Sequence, residues 1–298
     1  MRKYIAMAAV AMMFAACSND DMPEVPTLDE MADTPITLTA GVADLTTRAG
    51  HPTGELKTGS LGFYMTTEGT VAEKYTAENR EFSYNATNGW TVTGNTPLLW
   101  MNTTAAVSYT AYHPYSSEVT NKILSVAVPT DQNVSVVDLL YTNGTTDGGK
   151  SSEGIALALN HMMAKLTIEL RAGTELAETP EFSNVVIRGL KNTCGFDLTT
   201  GNWNDFSKYT TATDVALIKN SGNNFEAIVI PQELAEFIVL ITISDGRTFR
   251  FSQAAVELKT GTAYTLNLVV GKDKVELADD GITVSDWTES AVNDFVTD

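Results

Sequence analysis

Three histidines and one glycine-rich segment are the residues whose types are suited to catalysis or ligand binding. His51, His113 and His161 are far apart in the sequence, and none has a second ligand at the spacing of a metal site. Gly148–Ser152 shares part of a phosphate-loop pattern but lacks the first glycine at the required spacing. No G-x-S-x-G segment is present, so no Ser/His/Asp order can be assigned. The sequence therefore predicts no enzyme, no metal site and no cofactor.

A different chemistry is indicated at Cys17, which ends a short apolar run. Residues 1–3 are a basic start, and Ile5–Ala16 is apolar but shorter than the roughly 20 residues that span a bilayer. Small residues directly before Cys17 resemble the bacterial lipobox, in which the chain is cut before a cysteine that then carries lipid. We predict a lipoprotein signal peptide over residues 1–17, with Cys17 acylated by palmitate-type chains that hold the precursor on a membrane. An ordinary signal peptide with an incidental cysteine is the alternative.

The segment after the cysteine is predicted to be a flexible tether. Residues 18–35 are acidic, contain prolines and have few large apolar groups, so they cannot bury enough surface to offset ordering entropy. With Cys17 lipidated, only Cys194 remains, and one thiol cannot make an intramolecular disulfide. The remaining chain must therefore be stabilised by its own core, for which its 43% hydrophobic content is sufficient. The net charge of −18 excludes nucleic acid as a partner.

Alternation of apolar and polar residues predicts an all-β fold. Ile36, Leu38, Ala40 and Val42 alternate with Thr or Gly, which is typical of a half-buried strand. Further strand-like runs separated by turn signals are Leu61–Met65, Glu81–Asn85, Trp90–Thr93, Val107–His113, Ile123–Val128, Asp138–Tyr141, Lys165–Leu170, Val185–Leu190, Gly195–Leu198, Glu226–Ile230, Phe237–Ser244, Thr248–Ser252, Tyr264–Val270 and Ile282–Trp287. Residues 143–154 are polar and contain four glycines. We place a boundary there, between β-sandwich domains at 36–148 and 154–298.

Three ordered patterns between residues 138 and 287 resemble the fimbrillins of Bacteroidota. Leu157–Ile168 (LALNHMMAKLTI) is close to the family segment L-x-F-x-H-x-x-A-K-L. Asp138–Tyr141 precedes a glycine- and serine-rich loop, and Gly261–Leu268 is followed by Ile282–Trp287, as in that family. The resemblance implies two tandem transthyretin-like Greek-key β-sandwich domains and a subunit of a type V pilus (fimbria).

The same resemblance implies proteolytic maturation near the N-terminus. In this family an arginine-specific surface protease removes the N-terminal segment, and residues 45–50 (LTTRAG) match that position, with the cut between Arg48 and Ala49. Residues 36–48 are then a removable pro-strand whose departure leaves an apolar groove and unpaired backbone groups for a strand from another chain. Alternatively, Arg48 is one solvated arginine among several.

The candidate donor strand is the C-terminal segment, residues 282–298. Its apolar members are Ile282, Val284, Trp287, Val292 and Phe295. Asn293 and Asp294 interrupt the apolar face, so the tail is alternatively an ordinary strand of a subunit that only receives one.

These expectations place the chain first at the outer membrane as a lipoprotein precursor and then in an extracellular pilus. The expected partners are other pilin subunits, the arginine-specific protease, the outer membrane through the lipid, and a host glycan or protein ligand. The alternatives are a pilus tip adhesin and a permanently anchored glycan-binding surface lipoprotein.

Overall fold

Apart from one 3-10 turn at Glu73–Tyr75, every regular element in the described part of the chain is a β-strand. The computed structural model describes residues 33–43, 52–94, 96–133, 138–149, 154–176, 178, 180–204 and 212–287, all within one compact unit, Met31–Asp298. The all-β prediction is confirmed, and the tandem transthyretin-like arrangement stays a prediction. Across these ranges, no helix is long and apolar enough to cross a bilayer.

In the described part of the chain, eleven strands precede residue 162. They are β1 Thr34–Pro35, β2 Leu38–Ala43, β3 Pro52–Glu55, β4 Ser60–Thr67, β5 Ala77–Asn85, β6 Gly89–Val92, β7 Leu99–Trp100, β8 Val107–His113, β9 Ile123–Ala127, β10 Leu140–Thr145 and β11 Ile155–His161. Most of them coincide with the strand-like runs of the sequence, because alternating side chains face the two sides of a sheet.

Seven of these strands form a closed ring. Hydrogen-bonded neighbours follow the order β11–β10–β8–β4–β5–β6–β2, and β2 pairs back with β11. The pairs are antiparallel except β2–β11, which is parallel. β3 adds to the edge of β2 that also meets β6. The ring encloses an apolar core rich in aromatic rings, among them Phe63, Phe82 and Trp100.

Eleven further strands follow. They are β12 Ala164–Ala172, β13 Phe182–Leu190, β14 Thr193–Asp197, β15 Asn202–Trp203, β16 Thr213–Ala216, β17 Ile218–Lys219, β18 Asn224–Val229, β19 Gln232–Ile243, β20 Thr248–Leu258, β21 Thr262–Val270 and β22 Val275–Asp286. Two sheets, β17–β18–β12–β21–β22 and β16–β13–β19–β20, share one core to which both contribute. This half is a two-layer sandwich.

The chain crosses between the two halves more often than the predicted boundary at residues 143–154 implies. β11, which the sequence analysis assigned to the second domain, completes the ring of the first half. β9 leaves the first half and pairs with β14 of the second. A polar, glycine-rich segment marks a loop, but it does not determine whether that loop joins two domains or two strands of one sheet.

Gln132 ties the segment after β9 to the second half. Its side chain is 1% exposed, its Oε1 accepts a hydrogen bond from Ile228 N at 2.8 Å, and its Nε2 donates to Ile228 O at 2.6 Å. The amide therefore pairs with one residue of β18 as a neighbouring strand would.

Replacing Gln132 by Ala is expected to lower the free energy of unfolding by about 1–3 kcal/mol, because it leaves the buried N–H and C=O of Ile228 unpaired. Urea unfolding of the full chain checks this. The matched control is Asn133→Ala, an exposed neighbour whose loss is expected to change stability by less than about 0.5 kcal/mol. Equal effects of the two substitutions would contradict the assignment.

The burial of His113 predicts that the stability of the ring depends on pH. His113 is buried at the end of β8, and this burial lowers the pKa of the imidazole. The Ser60 carbonyl and the Asp138 carboxylate act in the opposite direction. The unfolded chain takes up this proton at the usual pKa of about 6.5. Stability from neutral His113 is therefore present above that pKa and is lost as the pH falls toward the lowered folded value.

We expect the free energy of unfolding to fall between about pH 7 and about pH 5.5, and the fall to be smaller in His113→Asn. Asparagine keeps a donor for the Ser60 carbonyl, which accepts from His113 Nδ1 at 2.9 Å, but it does not titrate. Urea unfolding at both pH values measures the difference. The same pH dependence in both proteins would show that His113 is not its source.

Candidate functional site

The strand β2 carries side chains that reach deep into the ring. The exposed fractions of Ile36, Leu38, Ala40 and Val42 are 7, 5, 6 and 2%. All four belong to the core of the ring, and Thr39 between them is exposed. The segment predicted as a pro-strand therefore lies within a sheet, with its regular strand beginning at Leu38 instead of Ile36.

Both edges of β2 are hydrogen-bonded. On one edge Leu38–Val42 runs parallel to Ile155–Leu159 of β11. On the other edge Leu38 pairs with Trp90 of β6, and Gly41–Ala43 pairs with β3. β2 is therefore the strand that closes the ring, and without it β11 on one side and β6 and β3 on the other each have one edge left unpaired by β2.

The groove that holds β2 is apolar. Leu157 and Leu159 of β11 and Trp90 of β6 are buried in the same core. The Trp90 indole N–H donates to the carbonyl of Leu56 at 3.2 Å, and the amide of Leu56 donates to the carbonyl of Ala40 at 2.9 Å. A vacant groove would thus present large apolar side chains together with unpaired backbone groups, which is what an incoming β-strand requires.

The chain just before β2 is also fixed in place. Asp33–Pro35, which the sequence analysis assigned to the tether, meets β7: the amide of Asp33 donates to Trp100 O at 2.9 Å, and β1 pairs with β7. The Asp33 carboxylate accepts from Lys74 Nζ and Tyr75 Oη, each at 2.7 Å. These hydrogen bonds lower the pKa of Asp33. Because the pair is exposed, it contributes little to stability.

The residues predicted to undergo chemistry lie outside the described part of the chain. Cys17 precedes it, and Arg48 and Ala49 belong to the connection between β2 and β3, outside the described residues. β2 and β3 are neighbours in the sheet, with Ala43 paired to Pro52. A cut in that connection would separate β2 from the rest of the ring without removing any residue of the groove.

The C-terminal residues predicted as a donor strand have three different environments. Ile282 is partly buried against the core of the second half, whereas Val284 is 58% exposed. Trp287 is 4% exposed and lies in a third core between the two halves. Val292 and Phe295 lie outside the described residues. Ile282 and Val284 belong to β22, which is an edge strand of its sheet.

Trp287 is part of a buried cluster that the sequence analysis did not predict. Its indole stacks on the imidazole of His161, with centroids 3.9 Å apart and planes at 8°. His161 Nδ1 lies 3.2 Å from Oδ1 and 2.9 Å from Oδ2 of Asp138. Asp138, His161 and Trp287 are distant in sequence, so no spacing signal connects them.

The tryptophans bear on the alternative of a glycan-binding surface. Trp90, Trp100 and Trp287 are buried. Trp203 is partly exposed and borders an open cleft of about 740 Å³, also lined by Lys191, Asn204, Glu233 and Lys259. Its indole N–H donates to Met162 O at 2.9 Å. Within the described ranges, no group of three His, Cys, Asp or Glu side chains is arranged to hold a metal ion.

Comparison with known proteins finds a family that matches most of the chain. The model of a family described as fimbrillin-like matches residues 47–287. No curated protein matches the chain.

Solved structures with a similar fold come from Bacteroides and Porphyromonas species. A presumed cell adhesion protein of Bacteroides ovatus has a TM-score of 0.70 at 15% identity, covering 86% of this chain and 98% of that one. A presumed cell adhesion protein of Bacteroides uniformis has a TM-score of 0.62 at 21% identity, covering 85% and 98%. The tip fimbrial protein of Porphyromonas gingivalis, with a C-terminal truncation, has a TM-score of 0.51 at 9% identity, covering 84% and 98%. At these identities the likeness is one of fold.

Truncating a core side chain of β2 is expected to weaken the whole ring. Leu38→Ala should lower the free energy of unfolding by about 2–5 kcal/mol, because it leaves a cavity in the ring core. Thr39→Ala in the same strand is the control, because Thr39 is exposed and its loss should cost less than about 0.5 kcal/mol. Urea unfolding of the full chain measures both. A small effect of Leu38→Ala would mean that β2 does not hold the ring closed.

Proposed function

Because this chain belongs to the fimbrillin-like family, we propose that it is a structural subunit of a cell-surface pilus that supports adhesion. In this proposal the precursor is an outer-membrane lipoprotein held through Cys17. An arginine-specific surface protease cuts it after Arg48, and it then polymerises with other pilin subunits by donor-strand exchange. The role requires no catalytic residue and no cofactor.

The observation that carries the proposal is the position of β2 in the ring. The strand has partners on both edges and is buried on its inner face. After a cut between β2 and β3, only non-covalent contacts would hold it. Fully burying a Val, Leu or Ile side chain contributes about 1.5–3 kcal/mol. Ile36, Leu38 and Val42 together therefore contribute several kcal/mol to holding β2 in its groove.

Exchange is favourable when the incoming strand makes at least the same contacts. A strand from another subunit can pair with β11 on one edge and with β6 and β3 on the other. A longer strand adds contacts beyond those of β2, and it brings its whole subunit into the polymer. In the uncut precursor the groove is filled by a covalently attached strand, which keeps that precursor from assembling.

The strand that this subunit would donate is its C-terminal segment, residues 282–298. Ile282 and Val284 alternate as an inserted strand requires, and β22 is at a sheet edge. The next residue on that face is Asp286, whereas Ile36–Val42 presents four apolar side chains in succession. This partial match keeps the alternative of a tip adhesin, which accepts a strand and donates none.

A permanently anchored glycan-binding lipoprotein is the second candidate, favoured by the cleft beside Trp203. A partly exposed aromatic ring among side chains that donate and accept hydrogen bonds is suited to a sugar. On this reading the protein stays on the membrane through Cys17 and is not cut at Arg48. A host glycan or protein ligand would then be its main partner.

Treating the purified full chain with an arginine-specific protease tests the proposal. The expected products are a new N-terminus at Ala49 and SDS-resistant oligomer ladders. Arg48→Ala is expected to be exported and folded normally, but to give neither product, because β2 remains covalently attached.

Arg247→Ala is the matched control, because Arg247 is an exposed arginine in the turn between β19 and β20, and it should assemble like the wild type. Fibres formed equally well by Arg48→Ala would contradict the proposal. An uncut protein with measurable glycan affinity, lost in Trp203→Ala, would support the second candidate instead.

A further inference from the structure

His161 lies where five strand ends of the molecule meet. It is the last residue of β11, and Asp138 stands two residues before β10. Met162, which follows His161, donates its amide N–H to Leu139 O at 2.8 Å. Gly261, just before β21, donates its amide to Met163 O at 2.9 Å and accepts from Trp287 N at 2.8 Å. The ends of β11 and β22 are thus joined through the starts of β10, β12 and β21.

The side chains reinforce this junction. His161 Nδ1 shares a hydrogen bond with the Asp138 carboxyl group, and this bond fixes the orientation of the imidazole. The face of that ring is covered by the indole of Trp287. His161 and Trp287 are each 4% exposed and Asp138 is 7% exposed. The stacked pair therefore closes over the junction and excludes water from it.

The order of β11, the strand that ends at His161, depends on β2. β11 pairs with β2 at five positions, Ile155–Leu159, but with β10 only at Asn160 and His161. If β2 leaves, β11 keeps two of these paired positions and loses the neighbour that buries Leu157 and Leu159. A strand held at two positions frays readily, and the residues that remain paired are those next to Trp287.

We propose that Asp138, His161 and Trp287 form a clasp that couples the occupancy of the ring groove to the C-terminal strand. With the groove filled, β11 is ordered and the clasp holds the end of β22 against the body of the subunit. With the groove empty, β11 loosens, the imidazole loses its fixed position and Trp287 is released. In this respect the inference rests on the proposed function, which supplies the step in which β2 leaves.

Hydrogen–deuterium exchange on the uncut full chain tests the clasp. Replacing both Leu38 and Val42 by Ala weakens the seat of β2 without cleavage. We expect exchange to rise about tenfold in β11 and to rise with it in the segment ending at Trp287. If the double variant does not fold, Val42→Thr, which is similar in shape, is the milder replacement.

The matched control is Met65→Ala, a core truncation in β4 of the same ring, which is 1% exposed and does not pair with β2 or β11. It should leave exchange at Trp287 unchanged. If weakening β2 raises exchange in β11 but not at Trp287, or if Met65→Ala raises Trp287 exchange equally, the coupling is overturned.

A second pair of variants separates the clasp from general loosening. His161→Leu should raise exchange at the end of β22 in a chain whose β2 is intact, and adding the β2 substitutions should then raise it little further. Full additivity of the two changes would show that His161 does not carry the coupling.

These measurements do not use the protease, so a chain that resists cutting at Arg48 leaves their result standing while the proposed maturation fails. If the chain is cut and polymerises, but hydrogen exchange at Trp287 does not change when β2 is weakened, the proposed function is supported and the clasp is contradicted.

Discussion

Closure of the seven-stranded ring by β2 is the interaction on which the first half of the molecule depends. A strand with partners on both edges is held by its neighbours and not by its covalent connection to either of them. β11 and β6 are interior strands only while β2 lies between them. In the proposed exchange, β2 is the strand to be replaced, because a different chain with the same side-chain pattern could meet the same backbone groups.

Unlike the closed ring, the sheets of the second half end in edge strands. β20 and β22 end their sheets without a further strand in the described part of the chain. The register of β22 shifts between Leu277 and Ile282, and this irregular stretch includes Asp279, Asp280 and Gly281, the last with φ of 58°. A bulge with charged residues discourages pairing with another chain. Strand pairing with another chain is therefore disfavoured at this edge. The groove of the first half is covered by β2.

Local pattern predicted the elements of this fold better than their partners. The alternation over Ile36–Val42 predicted a strand that the structure places at Leu38–Ala43. The glycine-rich segment at residues 143–154 predicted a domain boundary, but not that β11 beyond it returns to pair with β2, because parallel pairing between distant segments leaves no local signal. The same reason hides the cluster of Asp138, His161 and Trp287. Only the tertiary fold brings Asp138 and Trp287 to His161.

Two of the connections between the halves, at Gln132 and at His161, differ in what they depend on. Gln132 pairs with Ile228 of β18, and neither belongs to the ring. His161 ends β11, whose pairing is mostly with β2. Loss of β2 therefore leaves the Gln132 connection intact and weakens the one at His161. In the proposed exchange, a subunit that has lost β2 would keep its two halves joined through Gln132 while the end of its C-terminal strand loosens. This difference would let exchange at the groove affect the C-terminal strand without unfolding the parts between them.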